Sequence, residues 1–245
     1  MKKLWLCGGF PRSYLAETDE ESVIWREQYI TTFLERDIPQ LGIAVPAHTM
    51  RRFWTMLSHY HGQTANFSEL GRSFGVSDMT VRRYVDILEG AFMVRALRPW
   101  HENTGKRIRK APKLYLRDSG LFHSLQQIDR MDKLLSHNKL GASWEGFCIE
   151  QVTTALQAKV PEFFYWATHS GAEVDIFFQT GGKRIGVEIK YADARRMTKS
   201  MQSAKESLKL DALYVLYPGK ETYRLDLSTV VLPTAGLLTK LAEIS

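Results

Sequence analysis

The C-terminal half of the chain changes repeatedly between the apolar period of a helix and that of a strand, and this alternation constrains the fold most. The pattern predicts a helix at about Ser143–Lys159, strands at Phe163–Thr168, Glu173–Phe178 and Arg184–Tyr191, a helix at about Arg195–Leu208 and a strand at Ala212–Tyr217. Gly181-Gly182 favours a tight turn between the second and third strands. Helices that alternate with strands bury both faces of a sheet, so we expect an α/β domain over residues 136–245.

Residues 47–135 have the pattern of a small helical domain that ends in a hairpin. A short helix with Leu70 and Phe74 on its apolar side precedes Gly75, a residue suited to a sharp turn, and Ser77 is placed to cap a second helix. Strands at about 91–100 and 113–116 would flank a basic loop. The pattern predicts a winged helix-turn-helix, a fold that binds DNA in some proteins and other proteins in others.

Residues 1–46 form a separate helical segment in this interpretation. Trp25, Tyr29 and Phe33 follow one another at helical spacing, and Ser22 is expected to cap a helix that reaches about Ile38. Pro39 then favours the end of that helix.

Basic residues are concentrated in one stretch of the chain. The protein carries 33 Lys and Arg against 27 Asp and Glu, a net charge of +6. Between Arg95 and Arg117 eight cations face Glu102 alone, which is typical either of a polyanion-binding surface or of a solvated loop. For the first alternative, duplex DNA is the expected partner and the predicted contacts are Thr80, Arg82, Arg83, Lys106, Arg107, Arg109, Lys110 and Lys113.

Three acidic residues and one lysine are predicted to converge in the α/β domain. Side chains alternate along a strand, so Glu188 and Lys190 share one face, and an antiparallel neighbour would bring Asp175 beside Glu188. Glu145 lies on the apolar stripe of the preceding helix. Carboxylates at short range are the oxygen donors that Mg²⁺ prefers. Asp175, Glu188 and Glu145 are therefore the candidate metal ligands, and Lys190 and Glu145 the candidate catalytic residues. The alternative interpretation is a salt-bridge cluster without catalysis.

The sequence gives no indication of a membrane anchor or of a disulfide-stapled fold. Its longest apolar run, Ala212–Tyr217, is far shorter than the roughly 20 residues of a spanning helix, and it has two cysteines. We therefore expect a cytoplasmic protein without a membrane partner.

Several segments together resemble a known family. The segments are YITTFLERDI at Tyr29–Ile38, KLGASWE at Lys139–Glu145, GAEVD at Gly171–Asp175 and VEIK at Val187–Lys190. They are similar to a domain-of-unknown-function family that forms the C-terminal part of prokaryotic AAA-type (AAA_14-like) ATPases. The resemblance implies a helical linker, a winged helix-turn-helix and a PD-(D/E)xK restriction-endonuclease-like α-β-β-β-α-β core. The nuclease pattern then falls on Glu145, Asp175, Glu188 and Lys190.

One element of the family is missing from this sequence. No Gly-x-x-x-x-Gly-Lys-Ser/Thr phosphate-binding loop occurs, so we expect no nucleotide site and no ATP hydrolysis by this chain alone. Residues 1–46 resemble the exit of an absent ATPase module, and the chain is interpreted as a truncated relative or the C-terminal piece of a split protein. Two alternatives to a nuclease stay open: a non-catalytic DNA-binding or regulatory remnant, and a docking module for a separate ATPase subunit.

Overall fold

The computed structural model describes residues 1–42, 44–102, 111–156, 158–192 and 196–236. These residues form a mixed α/β protein with nine strands in the described part of the chain. Two compact units are present, and each is made of two stretches of chain. The N-terminal unit combines Met1–Ala96 with Leu114–Gly146, and the C-terminal unit combines Leu97–Lys113 with Phe147–Ser245.

Helices dominate the first part of the chain. The elements in order are α1 Lys2–Cys7, α2 Pro11–Tyr14, α3 Asp19–Thr32, a π-helical turn Phe33–Asp37, α4 Ile38–Gln40, α5 Ala47–His59, β1 Gln63–Thr64, α6 Phe67–Phe74, α7 Asp78–Gly90, β2 Val94–Pro99, β3 Lys113–Leu116, α8 Ser119–Leu125, α9 Met131–Ser136 and α10 Leu140–Leu156. β2, β3 and α10 each contribute residues to both units.

The helix predicted from Ser22 begins earlier, because a better cap precedes it. The Thr18 side chain accepts from the backbone N–H of Glu21, and the Glu21 carboxylate accepts from the backbone of Thr18, which is a complete capping box. Ser22 lies inside α3, where its hydroxyl is buried and hydrogen-bonded to Ser13. The predicted cap at Ser22 is therefore wrong.

α6 and α7 form where the sequence predicts two helices joined by a tight turn. Gly75 has a φ of +77°, a left-handed conformation that glycine adopts without steric cost. Ser77 Oγ accepts from the backbone N–H of Thr80 at the start of α7, and Val81, Val85 and Leu88 of that helix are buried. The local pattern thus gives the helices and their caps, whereas the winged-helix assignment stays a prediction.

The N-terminal segment is part of the core of its unit. Helix α1 packs against α8 and buries Trp5, Leu6 and Cys7. The two backbones approach so closely that a Cβ at Gly120 would lie 2.1 Å from the carbonyl oxygen of Cys7. Residues at the start of the chain therefore contribute to folding of the N-terminal unit.

A sheet organises the C-terminal unit, and the helix Lys199–Leu208 packs against it. Its strands run β4 Phe164–Ala167, β5 Glu173–Thr180, β6 Lys183–Ile189, β7 Ala212–Tyr217, β8 Tyr223–Arg224 and β9 Thr229–Pro233, with α11 Lys199–Leu208 between β6 and β7 and a 3₁₀ turn at Thr234–Gly236. The order across the sheet is β4-β5-β6-β7-β9-β8, and the last residues of β2 pair in parallel with β4. β5 is antiparallel to both β4 and β6, whereas β7 is parallel to both β6 and β9.

The order of helices and strands in this unit follows the predicted alternation, with shifted boundaries. α11 begins at Lys199 rather than about Arg195, because Thr198 caps it by accepting from the backbone N–H of Met201. The short strands β8 and β9 were not predicted. The endonuclease-like assignment stays a prediction. Among the described residues, no helix combines the length and the apolar character needed to cross a membrane.

Candidate functional site

Asp175 and Glu188 occupy neighbouring strands of the C-terminal unit. In the antiparallel register Ile176 pairs with Val187. Asp175 precedes Ile176 and Glu188 follows Val187, so each acidic residue is the next one along its strand toward the same end of the pair. Oδ2 of Asp175 accepts a hydrogen bond from the backbone N–H of Ile189 at 2.6 Å. The two residues are 7% and 4% exposed. Burying an acidic group is unfavourable unless it is hydrogen-bonded or paired with a cation. The two carboxylates at this corner of the sheet therefore need polar partners.

Lys190 supplies a cation at the same place. Its Nζ lies 2.5 Å from Oε1 of Glu188, and its backbone N–H donates to the carbonyl of Leu216 at 2.8 Å, which holds the residue beside β7. The lysine side chain is 40% exposed, whereas the Glu188 side chain is 6% exposed. The ammonium thus lies between a buried carboxylate and solvent.

A third carboxylate, that of Glu173, lies on the same strand as Asp175 and was not among the predicted ligands. Glu173 precedes Asp175 by two positions, and carboxylate oxygens of the two residues lie within 4.8 Å of each other. Its partner is the ammonium of Lys113. The spacing Glu173-Val174-Asp175 was a signal for this residue, because positions i and i+2 of a strand share a face.

Glu145 lies in the part of α10 that belongs to the N-terminal unit. Its Oε1 accepts a hydrogen bond of 2.5 Å from the hydroxyl of Tyr115, a fully buried residue of β3 in the same unit. The carboxylate is half-buried, as its position on an apolar stripe predicts. Its assignment as a metal ligand and catalytic residue stays a prediction.

The predicted DNA contacts differ in their surroundings: two are exposed on a helix, one belongs to a helix cap and four lie outside the described residues. Arg82 and Arg83 are exposed on α7, with the Arg82 guanidinium 4.1 Å from the ring centroid of Phe67. Thr80 Oγ1 lies 2.9 Å from Oγ of Ser77, so this hydroxyl takes part in the cap of the helix. The remaining predicted contacts of the basic loop, Lys106, Arg107, Arg109 and Lys110, lie outside the described residues.

Lys113 differs from the expectation of a DNA-contacting cation. It is 6% exposed, and its ammonium is bonded to Glu173 within the C-terminal unit. This burial and ion pair differ from the exposed phosphate contact that the sequence predicts, and the assignment of Lys113 to DNA binding stays a prediction.

The donor set of the site fits a hard divalent cation. Carboxylate oxygens of Asp175 and Glu173 lie within 4.8 Å of each other, and carboxylate oxygens are the ligands that Mg²⁺ takes in proteins. Lys190 adds a cation, with its ammonium 2.5 Å from Oε1 of Glu188. The arrangement has the groups required to bind a divalent ion and to orient a water molecule beside it.

Comparison with known proteins gives families and relatives that carry no functional name. Residues 1–132 match a family model described as "Domain of unknown function (DUF8612)", and residues 140–237 match one described as "Domain of unknown function (DUF4143)". An uncharacterized protein of Mycobacterium tuberculosis and one of Mycobacterium bovis are each 48% identical to the chain over 237 residues, which is 97% of this chain and 53% of the relative. The chain therefore spans about half the length of the curated relatives it matches. No solved structure matches it.

Proposed function

The chain belongs to the DUF8612 family, whose name states no function, and we therefore propose a function from its site: a DNA-binding protein with a magnesium-dependent, endonuclease-like centre in the C-terminal unit. The observation that carries the proposal is the ion pair of Glu188 with Lys190 beside the buried carboxylate of Asp175. Buried carboxylates next to a part-exposed lysine on adjacent strands are costly to maintain, and a catalytic role explains why the fold retains them.

Each residue of the site has a distinct role in this proposal. Asp175 and Glu188 would hold Mg²⁺ in the C-terminal unit, and the assisting role of Glu145 is the one that the sequence predicts. The chemistry that a bound Mg²⁺ supplies is polarisation of a phosphodiester oxygen and a lowered pKa of a coordinated water. Lys190, with its ammonium 2.5 Å from Glu188 and part of its side chain in solvent, would orient the attacking water and stabilise negative charge on the phosphate.

DNA binding is assigned to the first turns of α7 and to the basic loop. Arg82 and Arg83 are exposed near the start of that helix, which is where a recognition helix presents side chains to the major groove. The concentration of Lys and Arg between residues 95 and 117 supports the same partner, because cations that contact phosphates release condensed counterions.

A plasmid-nicking assay tests the proposed activity. Purified protein is incubated with supercoiled plasmid and Mg²⁺, and the rate of nicking is compared with that of Asp175→Asn, Glu188→Gln, Glu145→Gln and Lys190→Ala. We expect each variant to lose roughly 100-fold or more in rate, the usual effect of removing a group that stabilises the transition state. Glu206→Gln is the matched control, because Glu206 is an exposed carboxylate of α11 in the same unit. Equal nicking by all of these proteins, or none by the unaltered chain, would overturn the proposal.

Two exposed apolar side chains favour a second candidate, docking onto a separate ATPase subunit. Leu15 and Ile24 are 73% and 56% exposed, and Ile24 lines a surface cavity of about 600 Å³ with Asp19 and Asp129. Deletion of residues 1–46 is unsuitable as a test, because Trp5 and Leu6 belong to the core. The paired variant Leu15→Ser/Ile24→Ser is expected to fold and to lose a co-purifying nucleotide-binding subunit, and unchanged co-purification would exclude docking through this surface.

A further inference from the structure

Lys113 is a buried cation in the C-terminal unit. Only 6% of the residue is exposed, its Nζ pairs with Oε1 of Glu173, and it lies 5.5 Å from the ring centroid of Tyr165. Tyr165 is itself anchored, since its hydroxyl donates to the carbonyl of Ala111 at 3.1 Å. An ammonium removed from water is costly unless a carboxylate and an aromatic face compensate it. The Lys113–Glu173 pair therefore joins a buried ammonium to a carboxylate whose side chain is 37% exposed.

The backbone of Glu173 is fixed independently of its side chain. The Ser200 hydroxyl accepts from the N–H of Glu173 and donates to its carbonyl oxygen, each at 2.7 Å. Ser200 is the second residue of α11, so one hydroxyl ties the start of β5 to the start of that helix. Glu173 consequently has a defined position from which its carboxylate reaches toward Asp175.

Two carboxylates this close require a positive charge nearby. Oxygens of Glu173 and Asp175 lie within 4.8 Å of each other, and like charges at that distance repel. The ammonium of Lys113 offsets this repulsion on the Glu173 side. A divalent cation bound by Asp175 would offset the same repulsion on the Asp175 side. The positive charge of Lys113 would repel a second cation that approaches Glu173.

We propose that Lys113 is a positioning residue of the metal centre: its ammonium holds Glu173 beside Asp175 and takes the place of a second cation, so the centre binds a single divalent ion. The inference rests on the proposed function, because it concerns the same carboxylates. It assigns to Lys113 and Glu173 a role that the nicking assay does not examine.

Titration with Mn²⁺ tests this inference through charge alone. Free Mn²⁺ is measured by electron paramagnetic resonance as the full chain is titrated, for the unaltered protein, Lys113→Met, Lys113→Arg, Glu173→Gln and the double variant Lys113→Met/Glu173→Gln. Thermal unfolding and circular dichroism establish that each protein is folded. The unaltered protein and Lys113→Arg are expected to bind one ion with similar affinity.

The other variants are expected to move in opposite directions. Lys113→Met leaves Glu173 without its ammonium and should bind Mn²⁺ about tenfold more tightly or take up a second ion. Glu173→Gln leaves the ammonium uncompensated and should bind about tenfold more weakly. The double variant removes one charge of each sign and should return to within about threefold of the original affinity. An ion pair with a merely structural role would lower stability in both single variants without this reversal of metal affinity.

The outcomes separate the inference from the proposed function. Mn²⁺ binding that follows the expected order, together with absent nicking, supports the role of Lys113 and overturns the nuclease. One bound Mn²⁺ with the same affinity in the unaltered protein, Lys113→Met and Glu173→Gln overturns the role of Lys113 and leaves the nuclease standing. Absence of Mn²⁺ binding in every protein overturns both. If Lys113→Met does not fold, the double variant is compared with Glu173→Gln: a recovered affinity supports the role of Lys113, and an equal affinity overturns it.

Discussion

The backbone N–H of Ile189 on β6 donates to Oδ2 of Asp175 on β5 at 2.6 Å, in a part of the sheet where Asp175 is 7% exposed. This bond gives Asp175 a structural role besides the proposed chemical one. The two roles are separable, because the amide oxygen of an asparagine accepts the same hydrogen bond without carrying the charge.

We expect Asp175→Ala and Asp175→Asn to differ in stability. Alanine leaves the Ile189 N–H without its acceptor in a buried place, which should lower the free energy of unfolding by roughly 1–3 kcal/mol. Asparagine should retain most of that stability and still abolish Mg²⁺-dependent nicking. Urea unfolding of both variants measures the difference. Equal loss of stability in the two variants would show that the negative charge, and not the hydrogen bond, stabilises this corner of the sheet.

Removal of the exposed guanidinium of Arg83 is expected to weaken DNA binding without affecting stability. If it contacts one phosphate, Arg83→Ala should reduce the slope of log affinity against log salt concentration by about 1. Electrophoretic mobility shifts of a duplex at several salt concentrations measure this slope. Arg72→Ala is the matched control, because Arg72 is exposed on the preceding helix α6. The same slope in the Arg83→Ala protein as in the unaltered one would exclude a phosphate contact at this position.

The contact of Gly120 with Cys7 predicts a sharp steric effect. Gly120→Ala places a Cβ 2.1 Å from the carbonyl oxygen of Cys7, which requires α1 and α8 to separate. We expect a loss of about 1–3 kcal/mol, the usual range for overpacking a core. In Gly141→Ala, the new methyl group on α10 has no neighbour within 4 Å, and the higher helix propensity of alanine should leave stability unchanged or slightly raised. A thermal midpoint for Gly120→Ala as high as that of the control would contradict the close approach.

Local patterns account for much of the fold and for part of the site. Strand alternation predicted that Glu188 and Lys190 share a face, and the structure places their charged groups 2.5 Å apart. The same local reasoning selected Ser22 as a cap, although Thr18 and Glu21 already formed a visible capping box in the sequence. That error came from choosing between neighbouring caps and not from a missing signal.

Local sequence patterns could not predict the ion pair of Lys113 with Glu173. Its position among many cations predicted a solvent-exposed phosphate contact, but its partner Glu173 lies 60 residues further along the chain. Burial of a lysine depends on which distant carboxylate the fold brings to it, and charge counting along the sequence does not contain that information. Glu173 differs, because its place two positions before Asp175 on the same strand was a local signal, and only its pairing with Lys113 of β3 depends on the fold.

Two buried histidines in the N-terminal unit predict how stability depends on pH. His61 Nδ1 accepts from the N–H of Leu116 at 3.0 Å, so its Nε2 donates to the carbonyl of Ala142 at 3.1 Å. His123 Nδ1 donates to the carbonyl of Leu6 at 2.9 Å, and its Nε2 accepts from the hydroxyl of Ser143 at 2.7 Å. Nδ1 of His61 carries no proton because it accepts a backbone bond, so that ring is neutral in the folded protein.

Burial lowers the pKa of His61 and of His123 from the ordinary 6.5 to about 3. Below pH 6.5 the unfolded chain takes up protons that the folded protein does not, so stability is complete above that pH and decreases as the pH falls toward 3. Each ring contributes up to about 1.4 kcal/mol per pH unit in this window. Urea unfolding at pH 7.5, 6.0 and 5.0 should show the decrease. His61→Gln and His123→Gln should each make it shallower, whereas His169→Gln, at an exposed position, should not. A pH dependence identical in all four proteins would mean that the two rings do not resist protonation.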